Sequence, residues 1–331
     1  MDVSSDYSFI PRRRLRGGHL QTIAGNFLPR TNLLPPGERR QFIVADHDSD
    51  AKVAVECLCH WQSARRRAMT VVIVHGLEGS AESQYVIGTG GKAWSAGMNV
   101  VRMNMRNCGN TETLTPTLYH SGLSADVGAV AQELIREDGL EQIALIGFSM
   151  GGNLVLKLAG EWSDHGPPQV KAFATVSPAM DLAASADALH SWRNWLYEQK
   201  FLRGLRARFR RKAVLFPERY DLAHLKRFPS IREFDDKITA RYEGFSGADD
   251  YYERASSSRV LEHIRIPTLV IHSEDDPFIR VLPPTRAKLV TNPAVHFVET
   301  ARGGHCAFLA APDGYDGRWA EKTVVDFIRR F

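Results

Sequence analysis

One stretch limits the folds open to this chain more than any other: Ile143-Ala144-Leu145-Ile146-Gly147-Phe148-Ser149-Met150-Gly151-Gly152-Asn153-Leu154. An uninterrupted apolar run enters Gly-x-Ser-x-Gly and continues into a small-residue helix opening, so strand, sharp turn and helix follow one another directly. Gly147 and Gly151 leave room for Ser149 to sit in a strained backbone conformation with its hydroxyl exposed above the sheet edge. The helix behind it points backbone N–H groups and a positive dipole end at the place where negative charge would develop. The stretch is expected to form a nucleophile elbow.

Similar apolar runs recur on both sides of it. Gln41 to Ala45 and Val53 to Cys59 flank His47-Asp48-Ser49-Asp50 as a hairpin. Met69 to Val74 reads as a strand covered on both faces, followed by Asn99 to Asn104, Lys171 to Val176, Pro267 to His272 and Ala294 to Val298. Helical periodicity fits Ala125 to Glu137 with Gly139 as its stop, Met150 to about Trp162, and an amphipathic segment from about Trp319 to Arg329. Strands alternating with helices imply a mostly parallel α/β sheet with helices on both faces. Between about 181 and 258 the pattern changes: compact apolar strands stop, aromatics accumulate, and Lys200 to Lys212 is densely basic. That segment is expected to be a helical cap inserted into a core made of residues 1–180 and 259–331, the core having an irregular, basic extension over about 1–40. Ser230-Ile231-Arg232-Glu233 has capping-box form and marks a helix start within the insertion. The pairs Asp235-Asp236 and Asp249-Asp250 read as helix ends or solvated surface.

Composition closes off several function classes. At 331 residues, 44% hydrophobic and 24% charged, the chain can bury a full core and is neither fibrous nor disordered. A net charge of +4 and a pI near 8.9 are too mild to indicate nucleic acid. Cys57, Cys59, Cys108 and Cys306 show no CxxC spacing, so neither a disulfide framework nor a zinc site is expected, and Cys57-x-Cys59-His60 reads as alternation along a strand. Gly88-Thr89-Gly90-Gly91-Lys92-Ala93 is no phosphate loop, because Val86 stands at the first glycine position and Ala93 replaces the metal-binding hydroxyl. The start of the chain lacks a cationic segment leading into a long apolar core, and no run reaches the length of a membrane span; a cytoplasmic protein is the expectation.

The remaining chemistry falls into one order. Met69 to Val74 ends in His75-Gly76-Leu77, the position from which an acyl-transfer serine enzyme takes its second oxyanion donor, with Leu77 N–H as the candidate and Met150 N–H as the first. After two later strands come Ser273-Glu274-Asp275-Asp276-Pro277 and Gly303-Gly304-His305. A serine hydroxyl is a poor nucleophile at neutral pH, so His305 would accept its proton and an acid would fix the imidazole tautomer. Neighbouring residues leaving a strand point in different directions, and the residue before the proline, Asp276 rather than Asp275, is the candidate acid. Serine, then acid, then histidine is the α/β-hydrolase order.

Gly17-Gly18-His19-Leu20-Gln21-Thr22, His75 to Ser80, Tyr119-His120-Ser121-Gly122, Gly147 to Gly152, Phe234-Asp235-Asp236, Asp275 to Phe278 and Gly303 to His305 together resemble the YheT-like branch of α/β-hydrolases over nearly the whole chain. The resemblance implies a carboxylesterase with a helical cap, related to eukaryotic members acting on lipid esters and phospholipids, with Ser149, Asp276 and His305 as the relay. One departure is Asn107, in Arg106-Asn107-Cys108-Gly109, where relatives carry glycine. No role beyond a buried, hydrogen-bonded loop is assigned to the His19 motif.

The expectation is a serine ester hydrolase with no metal or organic cofactor, acting on short- to medium-chain or lipid-like esters. A thioesterase or acyltransferase, or a non-catalytic binding protein on the same scaffold, are the alternatives. Phe201, Leu202, Leu205 and Phe209 interleave with arginines, so the basic segment could meet anionic lipid surfaces; a cap helix with a solvated basic face is its plainer reading. Nothing in the sequence speaks to oligomeric state.

Overall fold

The computed structural model describes residues 7–45, 53–225 and 227–331; the expected hairpin tip at 47–50 lies outside them. Among the described residues eight strands form one sheet: β1 (Glu38–Val44), β2 (Val53–His60), β3 (Thr70–Val74), β4 (Asn99–Met103), β5 (Ile143–Phe148), β6 (Val170–Val176), β7 (Thr268–Ser273) and β8 (Val295–Thr300). Their spatial order is β1-β2-β4-β3-β5-β6-β7-β8. The first hairpin and the β2–β4 pair are antiparallel, and every other pairing is parallel. β3 and β5 are buried along their whole length because helices cover both faces. Alternation of side chains divides the core in two: Val72, Val74 and Leu145 enter one cluster, while Val71, Ile73, Ala144 and Ile146 enter the other.

The helices are α1 (Gly18–Phe27), α2 (Gln84–Ser95), α3 (Ser124–Asp138), α4 (Met150–Trp162), α5 (Leu182–Leu189), α6 (Trp195–Leu215), α7 (Ile231–Phe234), α8 (Ala240–Tyr242), α9 (Ala248–Ala255), α10 (Pro283–Thr291) and α11 (Trp319–Ile328). Residues of α3 and α4 enter the first core cluster, and residues of α2 and α11 the second. Gly139 ends α3 at φ 61°, the left-handed cap expected of it. Gly88 to Ala93 lie inside α2 and form no loop. Among the described residues no helix is long and apolar enough to cross a membrane, and no cluster of three or more His, Cys, Asp or Glu could hold a metal.

Between β6 and β7 the described residues form only helical elements, loops and a π-helical turn, Asp235–Thr239. Ser230 caps α7 by accepting from the Glu233 N–H at 3.2 Å. Two sequence readings need correction. The first forty residues are not wholly irregular, since the Gly18 to Thr22 motif forms the first turns of α1 and His19 is exposed. The basic segment of α6 is not a solvated face throughout. Arg208 and Lys212 turn inward: Arg208 Nε donates to Glu78 Oε1 at 3.2 Å, and Lys212 Nζ donates to the carbonyls of Glu112, at 3.0 Å, and Thr115. Burial lowers the Lys212 ammonium to about 7.

Candidate active site

Ser149 stands between β5 and α4 at φ 53° and ψ −117°, a conformation that a non-glycine residue holds only under constraint. The constraint is visible in the main chain. Ser149 N donates to Val176 O at 3.0 Å, and its carbonyl accepts from Asn153 N at 3.1 Å and Ala179 N at 3.2 Å. A Cβ on Gly147 would lie 2.3 Å from Gly151 O, and one on Gly151 would lie 2.3 Å from His75 O, so both flanking glycines are required by close backbone approach.

The loop after β3 runs directly beneath the serine. A Cβ at Gly76 would come within 3.0 Å of Ser149 Cβ. The buried His75 holds this loop: its Nδ1 lies 2.8 Å from Gly76 O, and its Nε2 accepts from Met105 N at 3.1 Å. Burial depresses the His75 pKa to about 4, so the ring is neutral and Nδ1–H is the donor. Gly76 N–H donates to Tyr85 OH at 2.9 Å. Leu77 N–H is the next amide along, and Met150 N–H belongs to the first turn of α4, where no carbonyl of the same helix can reach it. Leu77, Ser149 and Met150 line one cavity.

Glu78 follows at φ 56°, and its carboxylate accepts from Tyr119 OH at 2.6 Å as well as from Arg208. The Arg208 guanidinium also lies 5.1 Å from the Tyr119 ring centroid. α6 is therefore pinned to the loop below Ser149 by a largely buried ion pair. Asn107 belongs to the same arrangement. It takes φ 62°, a left-handed conformation that asparagine tolerates better than other side-chain-bearing residues, and its Nδ2 donates to Thr117 O at 2.6 Å. The loop keeps a glycine-like conformation without glycine.

His305, whose ring lies 4.4 Å from that of the cavity-lining Phe278, has its Nδ1 2.8 Å from Asp276 Oδ2. Asp276 is buried, and its Oδ1 accepts from Phe278 N at 3.1 Å and Ile279 N at 2.9 Å. Burial alone would raise the Asp276 carboxyl; the His305 charge and hydrogen bond, aided by the Ile279 amide, hold it below its ordinary value. Asp275 does different work, its Oδ1 accepting from Gly304 N at 2.9 Å. His305 Nε2 lies 3.7 Å from Cys306 Sγ. Burial opposes the imidazolium, but Cys306 and Asp276 outweigh it and raise His305 above the ordinary 6.5. A base must be neutral to take a proton, so kcat/KM is expected to fall with decreasing pH along a limb whose midpoint lies above 6.5. A pH profile with its acid limb at or below that value would contradict the raised pKa.

Two supporting residues escaped the sequence reading. Thr22 Oγ1 accepts from His305 N at 2.8 Å, and Gln21 brackets Leu309, accepting from its N–H at 2.7 Å and donating to its carbonyl at 3.1 Å. The motif at 17–22 thus holds the His305 loop through Gln21 and Thr22, while His19 points outward. Its Nδ1 lies 3.4 Å from Tyr197 OH, and the two rings stack at 5.8 Å. His120 lines the cavity edge-on to Phe245 and Tyr251, its Nδ1 accepting from Gly122 N at 3.1 Å.

The cavity has a volume of about 110 Å³. Most of its wall is apolar: Leu182, Leu189, Leu205 and Ile231 from the segment between β6 and β7, with Phe278 and Ile279 from the loop after β7. Asp235 stands at the end of α7, as read, but it is not solvated surface: it lines this cavity and accepts from Thr239 Oγ1 and Tyr252 OH, each at 2.8 Å. Burial raises its carboxyl to about 6. The other three acids keep that reading: Asp236 accepts from Ala248 N, Asp249 pairs with Arg232, and Asp250 accepts from Ser246 N.

Comparison with known proteins bears on this arrangement. A family model for the alpha/beta hydrolase fold matches residues 70–312. An Escherichia coli protein designated esterase YheT is 32% identical over all of this chain and 95% of its own length. Phospholipase ABHD3 of Bos taurus is 31% identical over 81% of this chain, which spans 64% of that longer protein. Among solved structures, an esterase of Pyrococcus furiosus superposes with a TM-score of 0.57 at 14% identity, covering 89% of this chain and 93% of that one, a likeness of fold.

Proposed function

We propose, for a chain that belongs to the α/β-hydrolase family and is a carboxylic ester hydrolase, that Ser149, His305 and Asp276 form its catalytic relay and that its substrates are short- to medium-chain or lipid-like esters. The observation that carries the relay is the Asp276–His305 pair, 2.8 Å apart and beside the cavity-lining Phe278, together with a strained serine that lines the same apolar cavity. Ser149 Oγ attacks the ester carbonyl as His305 Nε2 takes its proton, and the carbonyl oxygen becomes an oxyanion received by Leu77 and Met150 N–H. Collapse breaks the ester C–O bond, and His305 returns the proton to the departing alcohol. A water molecule, deprotonated by the same nitrogen, then releases the acid from Ser149. Asp276 fixes the tautomer throughout and stabilises the transient imidazolium.

Residues 181–258 serve in this reading as a cap over Ser149, and the apolar walls contributed by α5 and α6 take the acyl chain. The chain's likeness to an esterase and a phospholipase supports the ester class. A panel of nitrophenyl esters from acetyl to palmitoyl tests the assignment. Hydrolysis is expected, with kcat/KM greatest at short to medium acyl length. Failure of the purified, folded protein to turn over any ester would refute the relay, and a maximum at palmitoyl would refute the chain-length reading.

A further inference from the structure

Helix α1 is amphipathic in the inverse sense. Gly18, Gln21, Thr22 and Gly25 are its buried residues, packed on the His305 loop, while Leu20, Ile23 and Phe27 face outward, Phe27 being 80% exposed. These three occupy positions i, i+3 and i+7, so they form one stripe along the helix. A second exposed apolar group adjoins it: Trp192, 81% exposed, with Trp195 and Leu196 at the start of α6. The His19–Tyr197 stack joins the two groups into one surface. That surface reaches the candidate active site through ring contacts. Tyr197 lies 5.4 Å from Phe278, whose ring lies 4.4 Å from that of His305.

Charge says what covers it. Residues 8–37 contain arginines and no Asp or Glu, with Arg12, Arg13 and Arg14 exposed just ahead of α1. From 188 to 217 the sole carboxylate is Glu198, which is buried on the Ile231 N–H and His190, whereas Arg193, Lys200 and Arg203 are exposed. A second copy of this chain would set these cations against each other. Carboxylates from other segments approach this surface, Glu274 and Asp275 beside His19 and Arg193, and Asp316 and Asp326 beside Arg12, but Asp275 accepts from Gly304 N and Asp316 and Asp326 pair with Lys92 and Lys322. Tryptophan, phenylalanine and leucine rimmed by an excess of cations match the boundary between headgroups and acyl chains of a bilayer carrying negative lipid.

We propose that the outer face of α1 and the start of α6 dock the protein on an anionic lipid bilayer, with the apolar side chains entering the headgroup boundary and the arginines facing phosphates. Of the stretch Lys200 to Lys212 the site takes only the exposed Lys200 and Arg203 at its start, since Arg208 and Lys212 are committed inward. That docking presents membrane esters to Ser149 rests on the ester-hydrolase reading; the docking itself does not.

Co-flotation of the full chain with vesicles of phosphatidylcholine alone, or mixed with phosphatidylglycerol, provides the test. Binding to the mixed vesicles is expected at low salt and should weaken steeply as salt rises. Phe27→Ser and Trp192→Ser should each lower the vesicle partition coefficient about tenfold. Val290→Ser, which removes an exposed apolar side chain from α10, should bind as wild type does, as should Ser149→Ala, which separates docking from catalysis. Equal thermal unfolding midpoints would show that the variants are folded. The proposal is overturned by equal binding to both vesicle types, by no binding to mixed vesicles at low salt, by unchanged binding of Phe27→Ser and Trp192→Ser, or by a dimer that these two substitutions dissociate.

Discussion

Ser149→Ala is expected to abolish ester hydrolysis, lowering kcat by about 10⁵- to 10⁶-fold, and to abolish labelling by a fluorophosphonate probe. Such probes react with serines already activated by a relay, so wild-type protein should label at Ser149 alone. The loss should be chemical rather than structural. The bonds that hold residue 149 at φ 53°, to Val176, Asn153 and Ala179, are all made by its main chain and survive the substitution. Alanine meets the same steric cost there as serine, so stability should change by no more than about 1 kcal/mol. His305→Ala should be nearly as damaging, and the double variant little worse than either, because relay members act as a unit. Equal denaturation midpoints with activity lost in Ser149→Ala establish the role; hydrolysis retained by that variant would mean another nucleophile operates.

The elbow was legible because everything that defines it lies within a few residues: apolar strand, two glycines forced by backbone contact, and a helix opening. The sheet was legible for a similar reason, since β3 and β5 sit under helices on both faces and read as unbroken apolar runs. What escaped were relations between distant residues. Thr22 and His305 are 283 positions apart, and no local pattern tells that a threonine hydroxyl will meet that amide. α1 escaped because it reverses the usual helical pattern, turning small and polar residues inward and apolar ones outward. Asp235 looked like an acid at a helix end, and only the approach of Tyr252 and Thr239 makes it part of a cavity wall. The basic run of α6 could not disclose which arginines turn inward until Glu78 and the carbonyls of the 107–115 loop were in place to receive them. Charge density is a property of sequence, whereas its direction is a property of packing.

The two adjacent aspartates should respond very differently to the same small change. Asp276→Asn is expected to reduce kcat about 10⁴-fold, because an amide presenting its N–H₂ to His305 Nδ1 favours the tautomer that already carries a proton on Nε2, and that nitrogen can then no longer act as base. Phe278 and Ile279 N–H still need an acceptor at the other atom, so the amide oxygen is drawn to them and its nitrogen is turned toward the imidazole. Asp275→Asn keeps an oxygen for the Gly304 N–H and touches neither ring nitrogen, so its cost should stay within about tenfold. Both variants are nearly isosteric, which leaves protonation and hydrogen bonding as the difference. A comparison of kcat for the two, with fluorophosphonate labelling rates alongside, decides the assignment: heavy loss in Asp275→Asn with activity kept in Asp276→Asn would reverse it.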